Sequence, residues 1–252
     1  MKPAQRLDPL PVLEEEAPGS DRRRHRRVAS PGLSGRLPTT CSARLCDVSL
    51  SGVGFESEGR LAPARNYRLR LSTGEGEVLD RHGRLVWSHL YATKRSGDGE
   101  VRPIYRAGLL FEDRSVGATG ELFEFIQRHA DEETGAGEHP LPEDRFGIER
   151  EATRYQLERI EELQLETDYE FLVRTLSLSG MLFETELPLE KGAQVDLVLE
   201  LPEGELRGRG RVVSSERSLE GERHRHAIAV EFLELDPNDR DRLERYLQRR
   251  LQ

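Results

Sequence analysis

Residues Asp47-Val48-Ser49-Leu50-Ser51-Gly52-Val53-Gly54-Phe55-Glu56 bring a short carboxylate, two hydroxyls and two glycines into one short stretch. Apolar Val48, Leu50, Val53 and Phe55 separate the polar positions, as in two strand ends joined by a tight turn. Asp47, Ser49 and Ser51 present oxygen atoms around that turn. Gly52 admits positive φ, or lets another group come close to the backbone.

The stretch occurs twice. Thr175-Leu176-Ser177-Leu178-Ser179-Gly180-Met181-Leu182-Phe183-Glu184 repeats its pattern. One constant offset carries Ser49 to Ser177, Gly52 to Gly180 and Phe55 to Phe183. Upstream of the first copy runs Arg22-Arg23-Arg24-His25-Arg26-Arg27. By the same offset Arg22 and Arg26 fall on Arg150 and Arg154, so an Arg-x-x-x-Arg pair precedes both copies. Self-similarity at a fixed period is the signature of repeated structural units. It predicts two copies of one domain.

Composition agrees with that division. The chain has 252 residues, room for two domains of ordinary size. Hydrophobic residues make up 35% and charged residues 34%, a lean apolar content that suits small units with much surface. A net charge of −9 argues against nucleic acid as a bulk partner and leaves the arginine run as a local exception. No apolar run is long enough to cross a membrane, so no membrane insertion is expected. Cys41 and Cys46 are the only cysteines, and no signal peptide precedes them. A reducing, cytoplasmic location is the simpler expectation.

Residues 1–20 hold three prolines before the acidic run Glu14-Glu15-Glu16, and read as a disordered arm. Residues 21–130 form the first domain. Tyr67, Leu69 and Leu71 alternate with arginines at strand period. Gly83-Arg84-Leu85-Val86-Trp87 and Ala107-Gly108-Leu109-Leu110-Phe111 are further short strands, and Ser96-Gly97-Asp98-Gly99 reads as a loop between them. Trp87 is expected in the core. Short strands with frequent turns favour a closed antiparallel barrel, followed by a helix over Glu121–Ala130. Residues 131–147, rich in glycine and charge, read as a linker. Residues 148–252 form the second, degenerate domain. Arg154–Leu165 reads equally as helix or irregular lead-in. Val195, Leu197 and Leu199 alternate, as do Ile228, Val230 and Phe232. A final helix opens at Asp236-Pro237, with Leu243, Leu247 and Leu251 on one face that covers the second barrel or mediates a homodimer.

Patterns for catalysis are missing. Ser-x-Ser-Gly lacks the first glycine of a nucleophile elbow, and Gly74-Glu75-Gly76 is not continued as a phosphate-binding loop. His224 and His226 have no cysteine or third histidine to make a zinc pattern. No enzyme, cofactor or metal site is therefore expected. Ligand binding fits better. A guanidinium pairs bidentately with phosphate or with guanine O6 and N7. Asp47 accepts hydrogen bonds only, which suits the N1–H and N2–H₂ edge of guanine. Read without the arginines, the Asp-x-Ser segment is an ordinary side-chain-stabilised turn.

These residues resemble the PilZ domain, the bacterial receptor module for cyclic di-GMP, whose pattern is Arg-x-x-x-Arg followed after a strand by Asp/Asn-x-Ser-x-x-Gly. Asp47, Ser49 and Gly52 match the second half. The first half is matched in two registers: Val28 after Arg27 favours Arg23/Arg27, while the internal repeat favours Arg22/Arg26. The resemblance implies a mainly β protein of two PilZ-like antiparallel six-stranded β-barrels, each followed by a C-terminal helix. It implies a non-catalytic cyclic di-GMP receptor, with Arg22, Arg23, Arg26, Arg27, Asp47, Ser49 and Gly52 binding the ligand. Cyclic di-GMP would order the arginine arm and change a surface that engages a downstream protein. Arg150, Arg154, Ser177 and Gly180 would form a weaker second site, because Thr175 stands where the carboxylate is expected. The alternative is a nucleic-acid-binding or scaffolding barrel pair that binds no second messenger.

Overall fold

Strand alternation governs the structure, a computed structural model that describes residues 26–95, 97, 99, 101–130, 153–158, 160–218 and 225–251. The first repeat contributes β1 (Val28–Ala29), β2 (Ser34–Ser49), β3 (Gly52–Ser57), β4 (Asn66–Thr73), β5 (Val78–Arg95), β6 (Val101–Phe111) and helix α1 (Val116–His129). From the second come β7 (Ile160–Ser177), β8 (Gly180–Thr185), β9 (Gln194–Leu201), β10 (Gly204–Ser218), β11 (Arg225–Leu235) and helix α2 (Pro237–Leu251). The predicted arm at 1–20, Arg22, Arg23, the linker at 131–147, Arg150 and His224 lie outside the described residues.

The mainly β class with a helix closing each repeat is as the sequence predicts. Tyr67, Leu69 and Leu71 are all buried on one side of β4, as their period requires. Helix α1 begins earlier than predicted, because the Ser115 hydroxyl accepts from the Ala118 N–H and caps it there. It buries Leu122, Phe125 and Ile126. Helix α2 opens on Pro237 and buries Leu243, Tyr246 and Leu247, whereas Leu251 at its end is exposed.

The strands do not form two independent sheets. They make one 11-stranded antiparallel sheet in which pairing closes two circuits that share β2 and β7. One circuit runs β7-β4-β5-β6-β3-β2 and the other β2-β9-β10-β11-β8-β7. Both shared strands are long, and each changes partners along its length. The first part of β2 pairs with β7 and β9 of the second repeat, and its last part pairs with β3 of the first. Strand β7 mirrors this: its first part pairs with β4, and its last part with β8. Thr39 and Thr167, related by the repeat offset, face each other where β2 and β7 cross. The crossing is thus a pseudo-two-fold axis between the repeats.

Burial follows the exchange. The first core holds Val48, Phe55, Leu69, Leu85 and Leu109 of the first repeat together with Leu163 and Leu165 of the second. The other core holds Phe171, Phe183, Leu199 and Ile228 together with Val28, Leu33 and Leu37 of the first repeat. Each repeat therefore lends its opening strand to its neighbour's core. The Arg154–Leu165 stretch resolves as an irregular lead-in followed by strand, with Leu163 and Leu165 facing inward and Glu162 and Glu166 facing out. Its glutamates favour helix locally, but pairing with β4 overrides that preference.

Trp87 departs from its predicted place in the core. The indole is half-buried, lies across Gly108, and stacks on His89 with ring centroids 5.1 Å apart. No helix among the described residues is long and apolar enough to cross a membrane.

Candidate functional site

The β2–β3 hairpin is fixed from within by its serine. Ser49 is 1% exposed, and its hydroxyl donates to the Gly52 carbonyl at 3.2 Å and accepts from the Ser51 N–H at 3.3 Å. Ser177 acts alike in the second hairpin, donating to the Gly180 carbonyl at 3.0 Å. The serine of each motif is occupied in shaping its turn. Both glycines are needed for packing. A Cβ on Gly52 would stand 2.3 Å from the Leu109 carbonyl oxygen, and one on Gly180 would stand 2.1 Å from that of Val230. What approaches the backbone at Gly52 is the neighbouring strand β6, and φ is not positive there.

Asp47 is presented differently. The β2–β3 register shifts between Leu45 and Asp47, so Cys46 is the extra residue of a bulge. Bulges re-aim the side chains that follow them. Asp47 lies opposite Gly54, and a Cβ on Gly54 would stand 2.9 Å from both carboxylate oxygens. Gly54 in turn lies opposite Gly108 on β6, and Gly108 opposite Trp87 on β5. One row across four strands thus reads Asp47, Gly54, Gly108, Trp87. Two bare backbone positions carry a carboxylate over one and an indole over the other. Sequence reasoning singled out Asp47 and Gly52 and missed Gly54 and Gly108, because their role depends on cross-strand register. The same row in the second repeat reads Thr175, Leu182, Ala229, Ser214. It has no carboxylate, no bare floor and no aromatic ring, and Thr175 Oγ1 is buried without a hydrogen-bond partner among the described residues.

An ion pair lies beside the row. Glu56 accepts from Arg44 Nη2 at 2.5 Å and from Arg106 Nη2 at 2.8 Å, and the Arg106 guanidinium sits 4.0 Å from the Tyr91 ring centroid. Burial pushes the Glu56 carboxyl up, but the two arginines outweigh burial and hold it below its ordinary value. Glu56 is thus held between two arginines of its own repeat, and Asp47 is the carboxylate of the row.

Asp47 accepts from Arg154 Nη1. Arg154 is held there by backbone contacts: Tyr155 and Val48 exchange hydrogen bonds of 2.8 and 2.9 Å, and the Glu158 N–H donates to the His129 carbonyl at 2.9 Å. Ala130 and Leu157 form a further bridge. Of the predicted site residues, the structure brings Arg154, Asp47, Ser49 and Gly52 together. Arg26 and Arg27 are exposed and lead into Val28, which pairs with Leu176 of the second hairpin. They are therefore beside Ser177 and Gly180.

Equivalent contacts align the arginines. Tyr155 faces Val48 and Val28 faces Leu176, each just before its motif serine. Tyr155 and Val28 are one position closer in sequence than the two serines are, so Arg154 corresponds to Arg27 rather than Arg26. Among the described residues no group of three or more histidine, cysteine or carboxylate side chains converges as a metal site would.

Residues 149–249 match the family model described as PilZ domain. That span contains Arg150, Arg154, Ser177 and Gly180, and Asp47 lies outside it. No curated protein matches the sequence. Among solved structures the chain is similar to the PilZ domain of YcgR from Escherichia coli with c-di-GMP, at 21% identity over 42% of this chain and 90% of that one, with a TM-score of 0.31. It is also similar to the inhibitor of motility MotI/DgrA of Bacillus subtilis, at 13% identity over 76% and 98% with a TM-score of 0.29. A third is MrkH of K. pneumonia in its complex with c-di-GMP, at 14% identity over 84% and 87% with a TM-score of 0.30.

Proposed function

We propose that this chain, which carries a PilZ domain over residues 149–249, is a non-catalytic receptor for cyclic di-GMP and holds the nucleotide over the Asp47–Trp87 row. The observation that carries this reading is the row itself, with Arg154 against its carboxylate. A carboxylate offers only acceptors, which match the paired N1–H and N2–H₂ donors of guanine. A guanidinium fork matches phosphate or the O6/N7 edge. Bare glycines let the Asp47 carboxylate and the Trp87 indole lie against the sheet, and the indole gives a base a face to stack on. Ser49 and Gly52 contribute by holding the hairpin that carries Asp47.

The ligand's consequence is a changed surface. Arg154 exchanges its internal partner for the nucleotide, and the segment around it is repositioned for a downstream protein. Calorimetry of the full chain with cyclic di-GMP, with GTP and single-stranded DNA as controls, tests the reading. Saturable binding of cyclic di-GMP is expected, weakened about tenfold or more in Asp47→Ala through loss of charge-assisted hydrogen bonds. Equal binding of GTP, or unchanged affinity in Asp47→Ala, would sink it.

A further inference from the structure

We infer that the Asp47 site is assembled from both repeats: Arg154 of the second repeat, rather than its counterpart Arg27 before β1, supplies the guanidinium that closes on the ligand. This deepens the receptor reading and rests on it. Arg27 lies nearer to Asp47 in sequence, but the strand exchange sends it elsewhere. Arg27 precedes Val28, whose side chain is in the second core and whose partner is Leu176. The Ser30 N–H continues that contact by donating to the Arg174 carbonyl at 3.1 Å. Arg154 precedes Tyr155, which exchanges backbone hydrogen bonds with Val48 in the first core. The two arginines are thus equivalent by position and swapped by partner.

The swap gives each arginine a different environment. Arg154 meets a row with a carboxylate, two glycines and an indole, whereas Arg27 is placed by a row of threonine, leucine, alanine and serine. Leu182 occupies the place where Gly54 leaves the floor bare, and adds bulk under any base. One repeat therefore keeps the receiving row and the other delivers the working arginine. Ligand bound here joins the lead-in of β7 to the β2–β3 hairpin. Since β7 runs on from Ile160 into the second core, the site and that core share one strand.

The test compares Arg154→Ala, Arg154→Lys and Arg27→Ala in the full chain by calorimetry with cyclic di-GMP, with thermal melts confirming that each variant is folded. Arg154→Ala is expected to weaken binding about tenfold or more, and Arg27→Ala to keep wild-type affinity. Arg154→Lys retains the charge but loses the planar fork, and is expected to recover only part of the loss without disturbing the backbone. A loss in Arg27→Ala equal to or larger than that in Arg154→Ala overturns the assignment while leaving the receptor reading intact. No binding by the wild-type chain overturns the receptor reading, and the assignment falls with it.

Discussion

Gly52 and Gly54 stand close together in one strand and are needed for opposite reasons. An added Cβ at Gly52 meets the Leu109 backbone carbonyl at 2.3 Å, which cannot give without moving β6. Gly52→Ala should destabilise the fold by about 1–3 kcal/mol, as overpacking at a close backbone contact does, and a denaturant midpoint reads that loss. At Gly54 the obstacle is the Asp47 carboxylate at 2.9 Å, the free end of a side chain that can swing aside. Gly54→Ala should therefore fold with a near-normal midpoint but lose about tenfold in affinity for cyclic di-GMP, because the acceptor is displaced. If the two variants exchange phenotypes, the division between turn and site is wrong. The motif serine belongs with Gly52: Ser49 is legible in the sequence as part of a turn, and its hydroxyl is spent there.

At the scale of elements, most strands were legible, the opening of β7 was not, and neither were the strands' partners. Period-two burial marks β4, and apolar residues at helical spacing mark α1 and α2, because those features are local. Strand exchange leaves no local trace, since β2 alternates in the same way whichever repeat it pairs with. The constant offset hints at equivalence, yet equivalence cannot distinguish pairing within a repeat from pairing between repeats. For the same reason Gly54, Gly108 and Trp87 could not be set in one row beforehand. The exchange has a direct test. Arg70 faces Gln164 of the other repeat, and Arg36 faces Val198. The repeat offset carries Arg36 onto Gln164 and Arg70 onto Val198, so repeats folded separately would instead bring Arg36 to Arg70. Paired antiparallel residues have Cα atoms roughly 4.5–5.5 Å apart, within reach of a disulfide. With Cys41 and Cys46 changed to serine, Arg70→Cys/Gln164→Cys should cross-link within the chain on oxidation, and Arg36→Cys/Arg70→Cys should not. Peptide mapping that finds the reverse would show that the repeats pair each within itself.

Across the whole molecule, two hydrophobic cores share two strands, yet only one of the two equivalent hairpins carries the row proposed to hold the nucleotide. Duplication supplied two turns, two arginine pairs and two floors. What differs is the content of the rows: Asp47, Gly54, Gly108 and Trp87 against Thr175, Leu182, Ala229 and Ser214. A threonine in place of the two-oxygen carboxylate acceptor and a leucine in the floor each work against a planar ligand with paired donors. Restoring a carboxylate alone would leave Leu182 in place, so Thr175→Asp is expected to recover at most part of any nucleotide binding at the second hairpin. Trp87 is the sole tryptophan of the chain and lies in the working row, which makes its fluorescence a direct report from the site. The most direct test is a titration of the full chain with cyclic di-GMP followed by Trp87 emission. A saturable change that ends at one occupied site per chain, and that is lost in Asp47→Ala, is the expected result. Emission that stays constant through saturation, or a change that survives intact in Asp47→Ala, would contradict the account.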